Sequence, residues 1–368
     1  MNKSGSKKKP LPKRIAGAIL RTFAARPQGK PNLKPEELQR VLLIRYDRLG
    51  DMVITTPLIE TLSKLAPQAE IDLLGSWRNI GLIENDPRIH QVLRWDGSPL
   101  KRLQTLIDCR RRGYDLTFQL LLWRTTLPGL LAGLLTPKGR VVSRDDANNR
   151  MLFEHTYKVN STTHYAEQVY GFLGAALDLP YGVPPMPDYS LYRSPEVEDR
   201  VDAKRVALRL PTGSYIVLNI SAGEREREMN RNQLLTLLRG LIPIAQESAL
   251  KIVITGGPDR KALGEELAEQ MGAETVVSFF SSIPEAIPLI AHARLIITPD
   301  TGTNHLASAV RTPTVVYFLR NGRPVGWGPR GVPHRIVQAT EGNDAGGVSI
   351  EEVLSATCSL LDERDSRS

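Results

Sequence analysis

Short apolar runs alternate with amphipathic stretches along most of this chain. Val41–Ile44, Ala69–Leu74 and Asp115–Leu121 each read as a buried strand. Between them, Asp51 to about Leu65 and Leu100–Arg112 carry apolar residues at helical spacing, with Pro67 ending the first and Pro99 opening the second. Ala166–Leu177 closes this first series as a helix. Six prolines then fall in residues 179–213, a density that marks an interdomain linker holding only a short helix of mixed charge. A second series follows. Strands are expected at Tyr215–Ile220, Lys251–Thr255, Leu295–Thr298 and Thr314–Phe318. Helices are expected at Arg231–Gln246, Arg260–Met271, Pro284–Ala293, Thr303–Val310 and Ser349–Leu361. Such alternation implies two α/β domains with mostly parallel sheets. The predicted boundaries are an extension over 1–40, a first domain over 41–180, a linker over 181–213, a second domain over 214–348, and a terminal helix and tail over 349–368.

The chain length of 368 residues suits two such domains. Its net charge of +8 belongs to one end. Residues 1–40 hold eleven Lys/Arg against two Glu, and the remainder is almost balanced. A basic tail on a neutral body gives no support to nucleic-acid binding by the folded part. Within the tail, Leu11, Ile15, Ile19 and Phe23 recur every four positions, so Leu11–Ala25 reads either as a basic amphipathic helix suited to an anionic membrane surface or as a solvated tail. Cys109 and Cys358 stand apart from one another and from histidines, which excludes a disulfide framework or a zinc site. No apolar run reaches the length of a membrane span. A cytoplasmic protein is expected.

Two strand–turn–helix junctions carry the chemistry. The first is Arg45-Tyr46-Asp47-Arg48-Leu49-Gly50-Asp51, the second Pro299-Asp300-Thr301-Gly302-Thr303-Asn304-His305. In open α/β sheets, ligands bind beyond strand carboxyl ends at such turns. Gly50 permits a sharp turn and close approach to the backbone, with Arg48 beside it. Asp51 at the helix start is placed to take a proton from an attacking hydroxyl, or simply to complement the helix dipole. Asp47 is its rival, earlier in the turn. At the second junction, the backbone N–H groups at Gly302 form an anion site, with hydroxyls from Thr301 and Thr303. Asp300 suits sugar hydroxyls or a cap, and His305 suits a diphosphate or sugar oxygen or the core. A third segment, Asn219–Glu228, offers Arg225 and Arg227 to neutralise a departing diphosphate. Glu224 and Glu226 within it read as a solvated face. The phosphate-loop, H-E-x-x-H and G-x-S-x-G patterns are missing from the chain, as is a D-x-D pair for a metal-held sugar nucleotide.

The run R-Y-D-R-L-G-D-M-V-x-x-T-P, followed far downstream by D-T-G-x-x-H-x-x-x-A-x-x-x-P-T-V-x-x-F, resembles glycosyltransferase family nine, the ADP-heptose:lipopolysaccharide heptosyltransferases. The similarity runs from about Val41 to the end and includes His164–Gln168 and Trp327-Gly328-Pro329. It implies a GT-B fold, two Rossmann-like domains facing a cleft, with acceptor on the first and nucleotide sugar on the second. It also implies inverting transfer without a metal or other cofactor. The family's base falls on Asp51, and its donor motif on Asp300, Thr301, Gly302 and His305. Arg227 stands where the family has a Lys before a W-P pair that this chain lacks. Asp259 is the nearest match to a ribose-binding acid. The expected reaction moves a heptose from ADP-heptose to a lipopolysaccharide inner-core sugar at the inner face of the cytoplasmic membrane, on a lipid-linked acceptor. Another nucleotide sugar or acceptor on the same scaffold, a sugar-nucleotide epimerase, and a degenerate GT-B module binding lipid or a partner protein are the other readings.

Overall fold

The computed structural model describes residues 32–122, 126–146, 149–153, 155–160, 162–272 and 274–365. Two six-stranded sheets form its frame. The first holds β1 (Arg40–Ile44), β2 (Glu70–Gly75), β3 (Gln91–Arg94), β4 (Leu116–Gln119), β5 (Arg140–Arg144) and β6 (His155–Tyr157), in the order β3-β2-β1-β4-β5-β6. The second holds β7 (Tyr215–Asn219), β8 (Lys251–Thr255), β9 (Val276–Ser278), β10 (Leu295–Pro299), β11 (Thr314–Phe318) and β12 (His334–Gln338), in the order β12-β11-β10-β7-β8-β9. Every pairing is parallel. Both orders reverse direction beside their first strand, at β1/β4 and β7/β10, the switch point where a crevice opens. The turns after β1, β7 and β10 all sit there.

Central strands are buried on both faces, so they read as near-continuous apolar runs. Val41, Leu43 and Phe118 face one core with Met52, Leu58 and Ile59, while Leu42, Ile44 and Val141 face another with Cys109, Leu131 and Leu135. The first of these cores runs on into the second domain, taking in Tyr215, Val217, Ile296 and Leu306. Ile216, Leu218 and Ile297 turn to the far side of the second sheet, against the buried leucines of helix Arg231–Glu247. Asn230 and Gln233 cap that helix reciprocally.

Several elements differ from expectation. The helix after β1 is two pieces, Leu49–Val53 and Thr56–Leu65, and Ala166–Leu177 is two pieces that meet at Gly171. The helix inside the Pro-rich stretch is not short. It spans Pro195–Ala207, buries Val201 fully and packs on helix Ile283–Ala291. Pro195 sits in its first turn, where a missing N–H costs nothing. The terminal helix, Ile350–Asp365, is part of the second core through Val353, Leu360 and Leu361. At the other end, Leu38 is fully buried and Leu33 pairs with Leu177, so the extension joins the first domain from residue 32. The Leu11–Ala25 segment lies outside the described residues. No described helix is long and apolar enough to cross a membrane.

Candidate functional site

The two motif turns meet each other. Glycine is needed on both sides: a Cβ at Gly50 would stand 2.8 Å from the His305 ring and 3.2 Å from Gly302 Cα, and one at Gly302 would stand 2.9 Å from Gly50 N. Backbone therefore packs on backbone across the domain boundary, bringing helix Leu49–Val53 against helix Gly302–Ala309.

Asp51, 8 % exposed, sits in the first turn of its helix. What holds it is Arg45, which is 1 % exposed at the end of β1. Arg45 Nε donates to the Asp51 carbonyl (2.9 Å), Nη2 lies 3.3 Å from Asp51 Oδ1 and Nη1 lies 3.4 Å from Asp47 Oδ2. Nη1 also donates to the Leu120 carbonyl beyond β4. One buried cation thus organises two carboxylates at the mouth of the crevice. Burial pushes the Asp47 carboxyl up to about 7, against the pull of Arg45 and with the push of Asp51. Asp47 Oδ1 is buried and has no hydrogen-bond partner.

On the second domain, Thr301 occupies the cap position of helix Gly302–Ala309, in extended backbone. Asn219, at the tip of β7, donates to Thr298 Oγ1 (3.0 Å) and Thr303 Oγ1 (3.2 Å), and Ser221 Oγ accepts from Gly257 N (2.8 Å). These bonds tie the tips of β7, β8 and β10 into one rim. Arg227 reaches Asp300 through both its carbonyl (2.8 Å) and its carboxylate (2.9 Å). Burial raises the Asp300 carboxyl above its ordinary range, with Arg227 opposing. Arg227 also pairs with Glu224 at 3.0 Å, and Glu224 pairs with Arg48 of the first domain at 2.5 Å. Glu224 therefore bridges the two domains, contrary to its reading as a solvated face. Arg225 is exposed, as is Asp259 on the turn after β8.

His305 faces the domain boundary, not open solvent. It is 2 % exposed, its ring lies 6.2 Å from His164, 5.6 Å from Trp327 and 6.4 Å from Tyr189, and its Nδ1 has no partner. Burial drops its pKa to about 3, so the ring is neutral. His164 caps helix Tyr165–Tyr170 through its Nδ1 and meets the Gly328 carbonyl through Nε2 (3.1 Å), and Tyr165 stacks on Trp327 at 4.3 Å. The segments His164–Gln168 and Trp327–Pro329 thus join the second motif at the back of the crevice.

Three participants were not singled out from sequence: Arg45, Glu224 as a bridge, and Glu228. The last is buried, pairs with Arg260 and accepts from Ala222 N (2.9 Å), which shapes the Ser221–Glu228 loop. A charged residue directly after an apolar strand was the available sign for Arg45. Among the described residues, no group of three His, Cys, Asp or Glu is placed to hold a metal ion.

Residues 193–351 match glycosyltransferase family 9 (heptosyltransferase). A lipopolysaccharide heptosyltransferase 3 from Escherichia coli K12 is 25% identical over 286 residues, covering 73% of this chain and 79% of that protein. The glycosyl transferase family 9 structure from Veillonella parvula superposes with a TM-score of 0.75 at 18% identity, over 90% of this chain and 99% of that one. The E. coli ADP-heptose lps heptosyltransferase II does so with a TM-score of 0.69 at 18% identity, over 89% of this chain and 100% of that one. The two sheets and flanking helices are the GT-B fold of these structures. The family match over residues 193–351 and the relatives over most of the chain thus agree in making this chain a glycosyltransferase similar to the heptosyltransferases of family 9.

Proposed function

We propose that the protein transfers a heptose from ADP-heptose to a lipopolysaccharide inner-core sugar, with inversion and without a metal ion. The observation that carries the mechanism is Asp51, held by a fully buried Arg45 where the first-domain crevice meets the start of helix Gly302–Ala309. The Asp51 carboxylate accepts the proton of the acceptor hydroxyl as that oxygen attacks the anomeric carbon. An aspartate is a weak base, so the proton moves late, once the hydroxyl has become acidic in the transition state. Because attack comes from the first domain and the nucleotide leaves on the second, the new bond forms on the face opposite the departing diphosphate. The helix start at Gly302, with Thr301 and Thr303, and Arg227 receive the diphosphate charge. For this, Arg227 exchanges its Asp300 and Glu224 partners for phosphate oxygens. Asp300 is then released to sugar hydroxyls, and Asp259 is the candidate for the ribose. Residues 1–31 attach the enzyme to the anionic cytoplasmic leaflet, through nine Lys/Arg and no acid.

The donor class is supported by the E. coli ADP-heptose lps heptosyltransferase II, with which the fold is shared. Asp51→Asn tests the base. Turnover should fall by roughly 10²–10⁴-fold with the dissociation constant for the nucleotide sugar unchanged. Wild-type turnover in Asp51→Asn rejects the assignment. ADP at about 100 times its dissociation constant should stabilise the protein by about 2.7 kcal/mol, and UDP or GDP should do less. Activity should survive EDTA, and a strict need for added Mg²⁺ or Mn²⁺ rejects the metal-free reading.

A further inference from the structure

Exposed leucines are concentrated in one place. Among the described residues, Leu100 (78 %), Leu103 (52 %), Leu127 (77 %) and Leu134 (51 %) are the strongly exposed ones, and all four lie on two neighbouring helices of the first domain. These helices, Pro99–Arg112 and Thr126–Leu135, cover the side of the first sheet turned away from the second domain. Leu103 and Arg110 share a helical face, and Arg110 Nη1 donates to the Leu134 carbonyl (3.1 Å), so the two sets of leucines form one surface.

Charge accompanies it. Helix Pro99–Arg112 holds five Lys/Arg and a single Asp, with Lys101, Arg102, Arg110 and Arg111 exposed. Trp77, 64 % exposed, stands just past the end of β2, with the Arg78 guanidinium 5.4 Å from its ring centre. Its backbone N–H donates to Asp96 (2.6 Å), two residues before the cap of the basic helix. Trp77, Leu100 and Leu127 therefore lie at the helix ends beside the strand tips, the same end as Asp51.

We propose that this face, a second contact apart from residues 1–31, docks on an anionic lipid bilayer. Leucines enter the acyl boundary, Trp77 sits at headgroup depth and the basic side chains meet lipid phosphates. Basic charge argues against the other coverings. Residues 1–31 carry nine Lys/Arg and no acid, and a second copy would bring the same positive helix. Docking this way sets the crevice mouth at the lipid surface, where a lipid-anchored saccharide can reach Asp51. The inference does not depend on which sugar is transferred.

The test uses the full chain and vesicles of phosphatidylglycerol and phosphatidylethanolamine with brominated acyl chains. Trp77 emission, read as the difference between wild type and Trp77→Phe, should be quenched, whereas pure phosphatidylcholine vesicles should leave it unchanged. The triple variant Leu100→Glu, Leu103→Glu, Leu127→Glu should lose that quenching and bind these vesicles roughly tenfold or more weakly. Its thermal midpoint should match wild type, since all three positions are exposed. Quenching reads the patch itself, so binding by residues 1–31 does not mask the outcome. Unquenched Trp77 on bound protein overturns the proposal. So does a triple variant quenched like wild type, or a wild-type dimer that the triple variant abolishes.

Discussion

Arg45 shows how much one residue decides here. Its guanidinium is fully buried, and its partners are Asp51, Asp47 and a carbonyl beyond β4. Removing one partner of a buried ion pair leaves the other charges uncompensated. Arg45→Met should therefore destabilise the fold by about 3–5 kcal/mol, read by urea unfolding. It should also lower turnover, because Asp51 loses its support; an unchanged unfolding midpoint would refute the role. His305 behaves differently. Its folded pKa of about 3 lies far below its ordinary 6.5, so between those values the unfolded chain binds a proton that the native ring refuses. Stability from this residue is complete above pH 6.5 and falls on acidification, by about 1.4 kcal/mol per pH unit within the window. His305→Asn should show a shallower acid loss between pH 6.5 and 4, and parallel profiles would contradict this account. The candidate residues Asp51 and Asp300–His305 were legible because each motif is contiguous. Arg45 and Glu224 were not, since an isolated Arg or Glu says nothing of its partners.

At the level of elements, contact between two short helices is what assembles the site. Gly50→Ala should force helices Leu49–Val53 and Gly302–Ala309 apart, because the new Cβ would meet ring and backbone atoms within 3.2 Å. We expect a loss of stability of about 1–3 kcal/mol, as for overpacking elsewhere, together with weaker donor binding. Calorimetry with and without ADP measures both, and a neutral Gly50→Ala would mean that the turns have room. Regular elements were read well wherever apolar runs were bounded by turn residues, as at Val41–Ile44 and Lys251–Thr255. Helix Pro195–Ala207 is longer than the short helix that the proline density of 179–213 predicts. Its proline occupies the first turn, and Pro243 and Pro288 sit inside other helices, so proline here does not mark breaks reliably.

The whole molecule is joined by more than its connecting segment. One core takes side chains from both sheets, Leu43 and Phe118 from the first and Val217 and Ile296 from the second. Arg48–Glu224, Arg330–Glu167 (2.7 Å) and the Tyr165–Trp327 stack also cross the boundary. The exposed pairs add little, as exposed ion pairs do, so the shared apolar core carries the coupling. A single cooperative thermal transition is therefore expected in scanning calorimetry despite two Rossmann-like units, and two resolved peaks would show that the domains unfold separately.

By itself, the sequence determined the alternation of strands and helices, the division into two α/β series, and the identity and order of the two motif turns. These are local properties, set by apolar periodicity and by glycine at sharp turns, and they need no knowledge of distant neighbours. Tertiary structure alone decided that Gly50 and Gly302 touch, that Arg45 holds Asp51, that His305 is buried and neutral, and that Glu224 pairs with Arg48, 176 positions away. Those facts depend on how the two sheets pack. Desolvation and long-range pairing arise only when the chain closes on itself, and no residue spacing encodes them.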